Sequence, residues 1–200
     1  MSQPITRRTL LAAGLCAATI PGVLRAAGQR YDLVETASEI AFGFQLNGVS
    51  QTGTVPVASA DIQVDTRNLA ASKADVSADI RGARTGFVFV TQALLSPEVL
   101  DAANHPLVRF QSTTVRLGAQ GRISDGARIE GNLTMRGVTK LLSLDATIAR
   151  PRGTEPDDLD RLLVHLTGTL DRRDFGAAGY PLMVPPLVTL DIRAEIRASA

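Results

Sequence analysis

Thiols, tryptophan and histidine are almost missing from this chain. Of its 200 residues one is cysteine, two are histidine, none is tryptophan, and aromatic residues make up 4%. Cys16, the one cysteine, lies in an N-terminal apolar stretch that reads as a targeting segment, so a folded domain without any thiol is expected. That excludes disulfides, cysteine metal sites and cysteine nucleophiles together. His105 and His165 stand far apart, whereas a zinc site needs three or four convergent ligands, so no metal centre is expected. His165, in "LLVHLTG", has Val164 and Leu166 on the alternate face and reads as solvent-facing.

An excess of positive charge is lacking too. The formal charge is +1, but residues 1 to 27 hold Arg7, Arg8 and Arg25 and no acid, leaving 18 basic against 20 acidic side chains and a formal charge of −2. With no basic block, capture of nucleic acid has no electrostatic support. Familiar catalytic signatures are also missing: there is no G-x-S-x-G, no G-x-G-x-x-G and no P-loop. Asp174-Phe175-Gly176 spells the kinase magnesium tripeptide without any of its companions. The acidic run from Glu155 to Asp160, with Asp157, Asp158 and Asp160, lacks the glycine and terminal glutamate of an EF-hand and reads as a solvated loop. No catalytic residue is assigned, and an enzyme is not expected.

The first 27 residues read as an export signal. Thr6-Arg7-Arg8-Thr9-Leu10-Leu11 is a twin-arginine pattern, followed by an apolar stretch to Ile20, a Pro21-Gly22 break and small residues at Ala26-Ala27. The stretch is shorter than the roughly 20 residues that span a bilayer. A periplasmic protein with one domain over residues 28–200 is therefore expected, large enough for a sizeable core.

Across that domain, apolar and polar residues alternate with period two. Ile40, Phe42, Phe44 and Leu46 share one face; so do Ala74, Val76, Ala78 and Ile80; Leu142, Leu144, Ala146 and Ile148; and Val188, Leu190, Ile192, Ala194 and Ile196. Further strands fit 108–117, 129–136 and 162–170, with weaker ones at 31–35 and 54–64. Asn47-Gly48, Gly118 to Gly121, Asp125-Gly126 and Arg136-Gly137 punctuate them as hairpin turns. About eight half-buried antiparallel strands hide their edges most completely by closing into a barrel, so an all-β, closed eight-stranded barrel is expected. Such a barrel is just wide enough to be filled by side chains or to hold one small ligand, and periodicity does not choose between them. Gly86 to Leu100, "GFVFVTQALLSPEVL", breaks the pattern; it is too apolar for a surface loop and reads as one or two short helices lying over an end of the sheet.

The ordered segments "YDLVETASEIAFGF", "DIRGARTG", "LLSPEVLDAANHPLVRFQSTTV", "GNLTMRGVTKLLSLDATI" and "RRDFG" resemble the YceI-like periplasmic proteins, from about Tyr31 to Ile196. The most specific part is His105-Pro106 with Phe110 to Thr113, and Gly131 to Thr134 with Gly137 to Lys140. The resemblance implies a lipocalin-like barrel that encloses a long isoprenoid chain, a polyprenyl or isoprenoid-quinone lipid, as carrier, store or scavenger, with no cofactor required and a homodimer in prospect. It also implies a chamber wall containing Phe42, Phe44, Ile80, Phe87, Phe89, Leu94, Leu95, Phe110, Leu133, Met135, Leu142 and Leu144, though ordinary core is the competing reading for each. Where many relatives carry an Arg-Asp-x-His-Leu-like stretch, this chain has Val90-Thr91-Gln92-Ala93-Leu94. An apolar mouth implies a different lipid head group or a lid that docks on a partner or, transiently, on a membrane surface. Two other functions stay open at this point: a lyase or isomerase acting on an apolar substrate in the same chamber, and a filled barrel serving as an interaction module.

Overall fold

The computed structural model describes residues 28–118, 126–155 and 158–199. The twin-arginine segment with Cys16, most of the residues of the two turns expected between 118 and 126, and Asp157 lie outside these. Eleven strands and one short α-helix follow in chain order among the described residues: β1 (Gln29–Leu33), β2 (Glu39–Leu46), β3 (Val49–Val55), β4 (Val57–Val64), β5 (Lys73–Asp79), β6 (Arg84–Thr85), α1 (Val88–Leu95), β7 (Leu107–Leu117), β8 (Ala127–Met135), β9 (Val138–Ala149), β10 (Arg161–Asp171) and β11 (Leu187–Ala198).

All pairings are antiparallel, and eight strands close a ring in the order β1-β4-β5-β7-β8-β9-β10-β11, with β11 returning to β1. The expected eight-stranded barrel is this ring. Its three extra strands, β2, β3 and β6, extend it as a flap hydrogen-bonded to β11. The weak strand expected over 54–64 is two strands, because Pro56 has no N–H for a ladder and turns the chain between β3 and β4. Asn47-Gly48 and Arg136-Gly137 form two-residue hairpin turns in which all four φ angles are positive, 51° and 79° in the first, 52° and 74° in the second. That is the twist a tight hairpin needs.

Inward side chains sort by size along the barrel axis. At the end that carries α1, Ile80, Ala83 and Ala102 pack with Phe42, Leu94, Leu95 and Leu100. Leu133, Met135, Leu142, Leu144 and Phe175 pack with Phe110, Leu170 and Leu190. Leu100 and Val108 belong to both groups, so the two form one continuous layer. Its tightness comes partly from glycine: Phe42 lies opposite Gly53, and Leu144 opposite Gly168, with no room for a Cβ at either glycine. At the far end Tyr31, Val64, Leu162 and Ile196 form a second plug, fixed by the Tyr31 hydroxyl donating to the Leu159 carbonyl at 2.8 Å.

The α1 end is stitched by hydrogen bonds between loops. Arg136, in the β8–β9 turn, donates to the carbonyls of Pro97 and Val99 at 2.7 and 2.8 Å. Gly179 N–H donates to the Glu98 carbonyl, and Asn47 N–H to that of Met183, both at 2.8 Å. Arg172 is 5% exposed and donates to the carbonyls of Ala177, Val184 and Pro185. A buried guanidinium thus replaces the missing regular structure of the loop between residues 176 and 186, and burial pulls its pKa down. Helix α1 is the expected lid: Val90 is buried beneath it, and the Thr91 hydroxyl accepts from the Thr85 N–H at 3.0 Å.

Candidate ligand-binding site

Between the two plugs the barrel is hollow. A cavity of about 160 Å³ is lined almost wholly by apolar surface, including Ile62, Val76, Val115, Ile129, Ile148, Val164 and Ile192. The local cause is side-chain size. Reading along β9 away from the helix, Leu142 and Leu144 give way to Ala146; along β11, Leu190 gives way to Ile192 and Ala194; β4 and β5 contribute Ala60 and Ala74. Each truncation leaves unfilled width at the same level of the ring. At roughly 30 Å³ per water, the space holds about five waters or a benzene-sized group of about six carbons.

The cavity also reaches the side of the barrel. Its wall includes Ser38, Glu39 and Ile40 at the start of β2, and Val57, Ala60 and Ile62 of β4. β2 pairs with β11 and β3, and β4 with β1 and β5, but no ladder joins β2 to β4. The seam between these two strands, not laced by backbone hydrogen bonds, therefore borders the hollow. The charged residues of the lining, Glu39, Lys73 and Arg193, are all exposed and contribute to its edge.

None of the twelve residues expected in the wall lines this cavity. Phe42, Ile80, Leu94, Leu95, Phe110, Leu133, Met135, Leu142 and Leu144 belong to the packed layer at the α1 end. Phe44 stacks on Phe42 with ring centroids 6.0 Å apart. Phe87 and Phe89 lean against each other at 5.7 Å on the outside, 52% and 67% exposed. The residues that line the hollow lie outside the expected wall, although one signal is in the sequence: leucine gives way to alanine along the inward faces of β9 and β11.

Several ionisable groups on the outer wall are held in ion pairs. Hydrogen bonds from Arg109 hold the Asp75 carboxyl below its usual range, and those from Arg161, at 2.6 and 2.7 Å, do the same for Glu195. Asp79 and Asp171 are lowered in the same way by Arg81 and Arg173. These are structural ion pairs rather than groups tuned towards neutrality for proton transfer. His165 is half-exposed and contacts Asp191 at 3.1 Å, on the rim of a shallow outer groove where Arg128 pairs with Asp145 at 2.9 Å. No group of three or more His, Cys, Asp or Glu side chains converges to hold a metal among the described residues.

Several solved structures share this architecture. BcnA of Burkholderia cenocepacia superposes with a TM-score of 0.70 at 15% identity, covering 82% of this chain and 99% of its own. A polyisoprenoid-binding domain from Saccharophagus degradans gives 0.61 at 14% identity, covering 86% and 99%. The YceI protein of Campylobacter jejuni gives 0.59 at 23% identity, covering 71% and 81%. At these identities the likeness concerns the fold. By sequence, a UPF0312 protein of Pectobacterium atrosepticum is 32% identical over 111 residues, 56% of this chain and 55% of that protein, and a Pseudomonas aeruginosa counterpart is 32% identical over 112. The chain matches about half the length of these curated relatives. The model of the YceI-like domain, by contrast, matches residues 31–196, which is the whole ring from β1 to β11, and the chain therefore belongs to the YceI-like family.

Proposed function

We propose that the protein binds the tail of a long isoprenoid-type lipid, a polyprenyl or an isoprenoid quinone, inside the barrel, and serves as an exported periplasmic carrier, store or scavenger. The observation that carries this reading is the apolar hollow between two packed layers, walled by side chains that offer dispersion contact and almost no hydrogen bonding. A structurally similar domain from Saccharophagus degradans is described as polyisoprenoid-binding, which supports the ligand class. The twin-arginine pattern at Arg7-Arg8 supports export.

Size sets a condition on this reading. At about 0.3 kcal/mol per carbon, half a dozen atoms gain about 2 kcal/mol, weaker than millimolar, whereas about 40 carbons reach roughly 12 kcal/mol and nanomolar affinity. Tight binding of a long tail therefore requires the layer built by Phe42, Phe110, Leu133, Met135, Leu142 and Leu144 to part and become wall. The lyase or isomerase alternative has less support, because the ionisable residues that touch the lining stand exposed at its edge.

Organic extraction of the purified protein followed by mass spectrometry tests the proposal. An isoprenoid tail in the extract, and uptake of polyprenol or quinone by the stripped protein, are the expected results. A protein that emerges empty and takes up neither is not an isoprenoid carrier.

A further inference from the structure

We propose that the α1 end of the barrel is a docking surface for a lipid bilayer, entered by apolar side chains and not held by charge. Among the described residues, eleven large apolar side chains are exposed, and ten of them lie at this end; Leu163 is the exception. They occupy the start of β3 (Val49), residues 87–89 at the head of α1, the starts of β7 and β11 (Leu107, Leu187), Leu141 shortly after the β8–β9 turn, and residues 180–183 of the loop that Arg172 holds. The hydrogen bonds linking Asn47 to Met183, Gly179 to Glu98 and Arg136 to Pro97 place these segments around one rim. Leu182 is 99% exposed and Val88 76%, so the tips project.

Their distribution selects the partner. Val49, Leu107, Leu141 and Leu187 lie on β3, β7, β9 and β11, which are separated by other strands and spread round more than half of the barrel. A protein partner, or a second copy of this chain, must offer a pocket matched to each of these separate tips to bury them together. A medium that surrounds the end meets all of it, and apolar tips sinking about 5–10 Å into a bilayer interface need no shape-matched counterpart. At this end Arg81 pairs with Asp79 at 2.8 Å and Arg173 with Asp171 at 2.6 Å, and Arg84, Arg136, Lys140 and Arg172 stand against Glu98, Asp101 and Asp174, so the end carries no marked excess of cations to select anionic lipid. The inference goes beyond the carrier reading, because this surface is available whether or not the cavity is filled.

The test uses the full chain with Cys16→Ser, so that an environment-sensitive fluorophore can be placed at Leu182→Cys or, as control, at Leu163→Cys. The local readout separates docking of this end from any binding by the N-terminal segment. With neutral phosphatidylcholine vesicles, the fluorophore at position 182 shifts to the blue and the one at 163 does not. Adding Phe89→Asp raises the lipid concentration for half-maximal shift about tenfold or more, the loss expected when one buried ring becomes a charge. No shift at 182, an equal shift at both sites, or a shift only with anionic phosphatidylglycerol overturns the proposal. A blue shift at 182 that grows with protein concentration in the absence of vesicles overturns it in favour of self-association. Lipid extraction reports the cavity separately, so either proposal can fail alone.

Discussion

Replacing Ala194 by phenylalanine asks directly whether the middle of the barrel is empty. Ala194 lies on the inward face of β11, opposite Val164 of β10, and lines the cavity. The substitution adds six ring carbons, about what a space of this size holds. In a hollow the new ring buries apolar surface worth about 1.5–3 kcal/mol, with a gain in strand preference besides. In a solid interior of native density the same change would cost about 1–3 kcal/mol. The expected result is a variant between neutral and about 2 kcal/mol more stable, and for a domain of this size that raises the thermal midpoint by up to about 8 °C. Urea unfolding of stripped protein measures the stability, and polyprenol uptake measures the vacancy. Uptake falls sharply while stability holds or rises. A variant destabilised by more than about 1 kcal/mol that still takes up lipid normally would refute the idea that this space is the binding site.

Gly168→Ala sets a Cβ 2.6 Å from Leu144 Cδ2, so it destabilises by about 1–3 kcal/mol; adding Leu144→Ala relieves the clash, and a double-mutant cycle in urea shows coupling where independent sites would add. Arg172→Ala removes a buried guanidinium from three loop carbonyls and costs about 3 kcal/mol or more, with new proteolytic cuts between residues 176 and 186 as the diagnostic. For Glu195 the folded carboxyl lies below its ordinary value because Arg161 donates to it. Its contribution is therefore complete above about pH 4.5 and is lost as pH falls through the lowered value. Glu195→Gln makes the acid limb of a stability–pH profile shallower below pH 4.5, and an unchanged limb would remove this pair from the account.

The elements that depend on local chemistry were legible in the sequence. Asn47-Gly48 and Arg136-Gly137 fix two hairpins because positive φ is affordable there, and alternation fixes which face of each strand turns inward. Length and apolarity marked residues 86 to 100 as a lid without saying which side chains it hides: Val90 faces in, whereas Phe87 and Phe89 face out. The site was harder because inward direction and contact with a cavity are different properties. Leu144 and Ala146 point the same way from β9, yet the first plugs the barrel and the second borders the void, and only the summed volume of eight strands at one level decides which. The bulkiest inward residues pack against one another as a plug, while β-branched and small ones border the vacancy. Pro56, which divides β3 from β4, is the local signal that breaks the strand expected over 54–64.

The unstitched seam between β2 and β4 changes what the barrel can discriminate. A sealed tube must be threaded end-first, so the widest group on the guest has to clear the rim. A flank that is not laced allows a flexible rod to be laid in sideways, with any bulky or charged cap left in water throughout. If the barrel carries a lipid tail as proposed, selection then falls on the girth and suppleness of the rod, and molecules that share a tail but differ in their caps compete for a single berth.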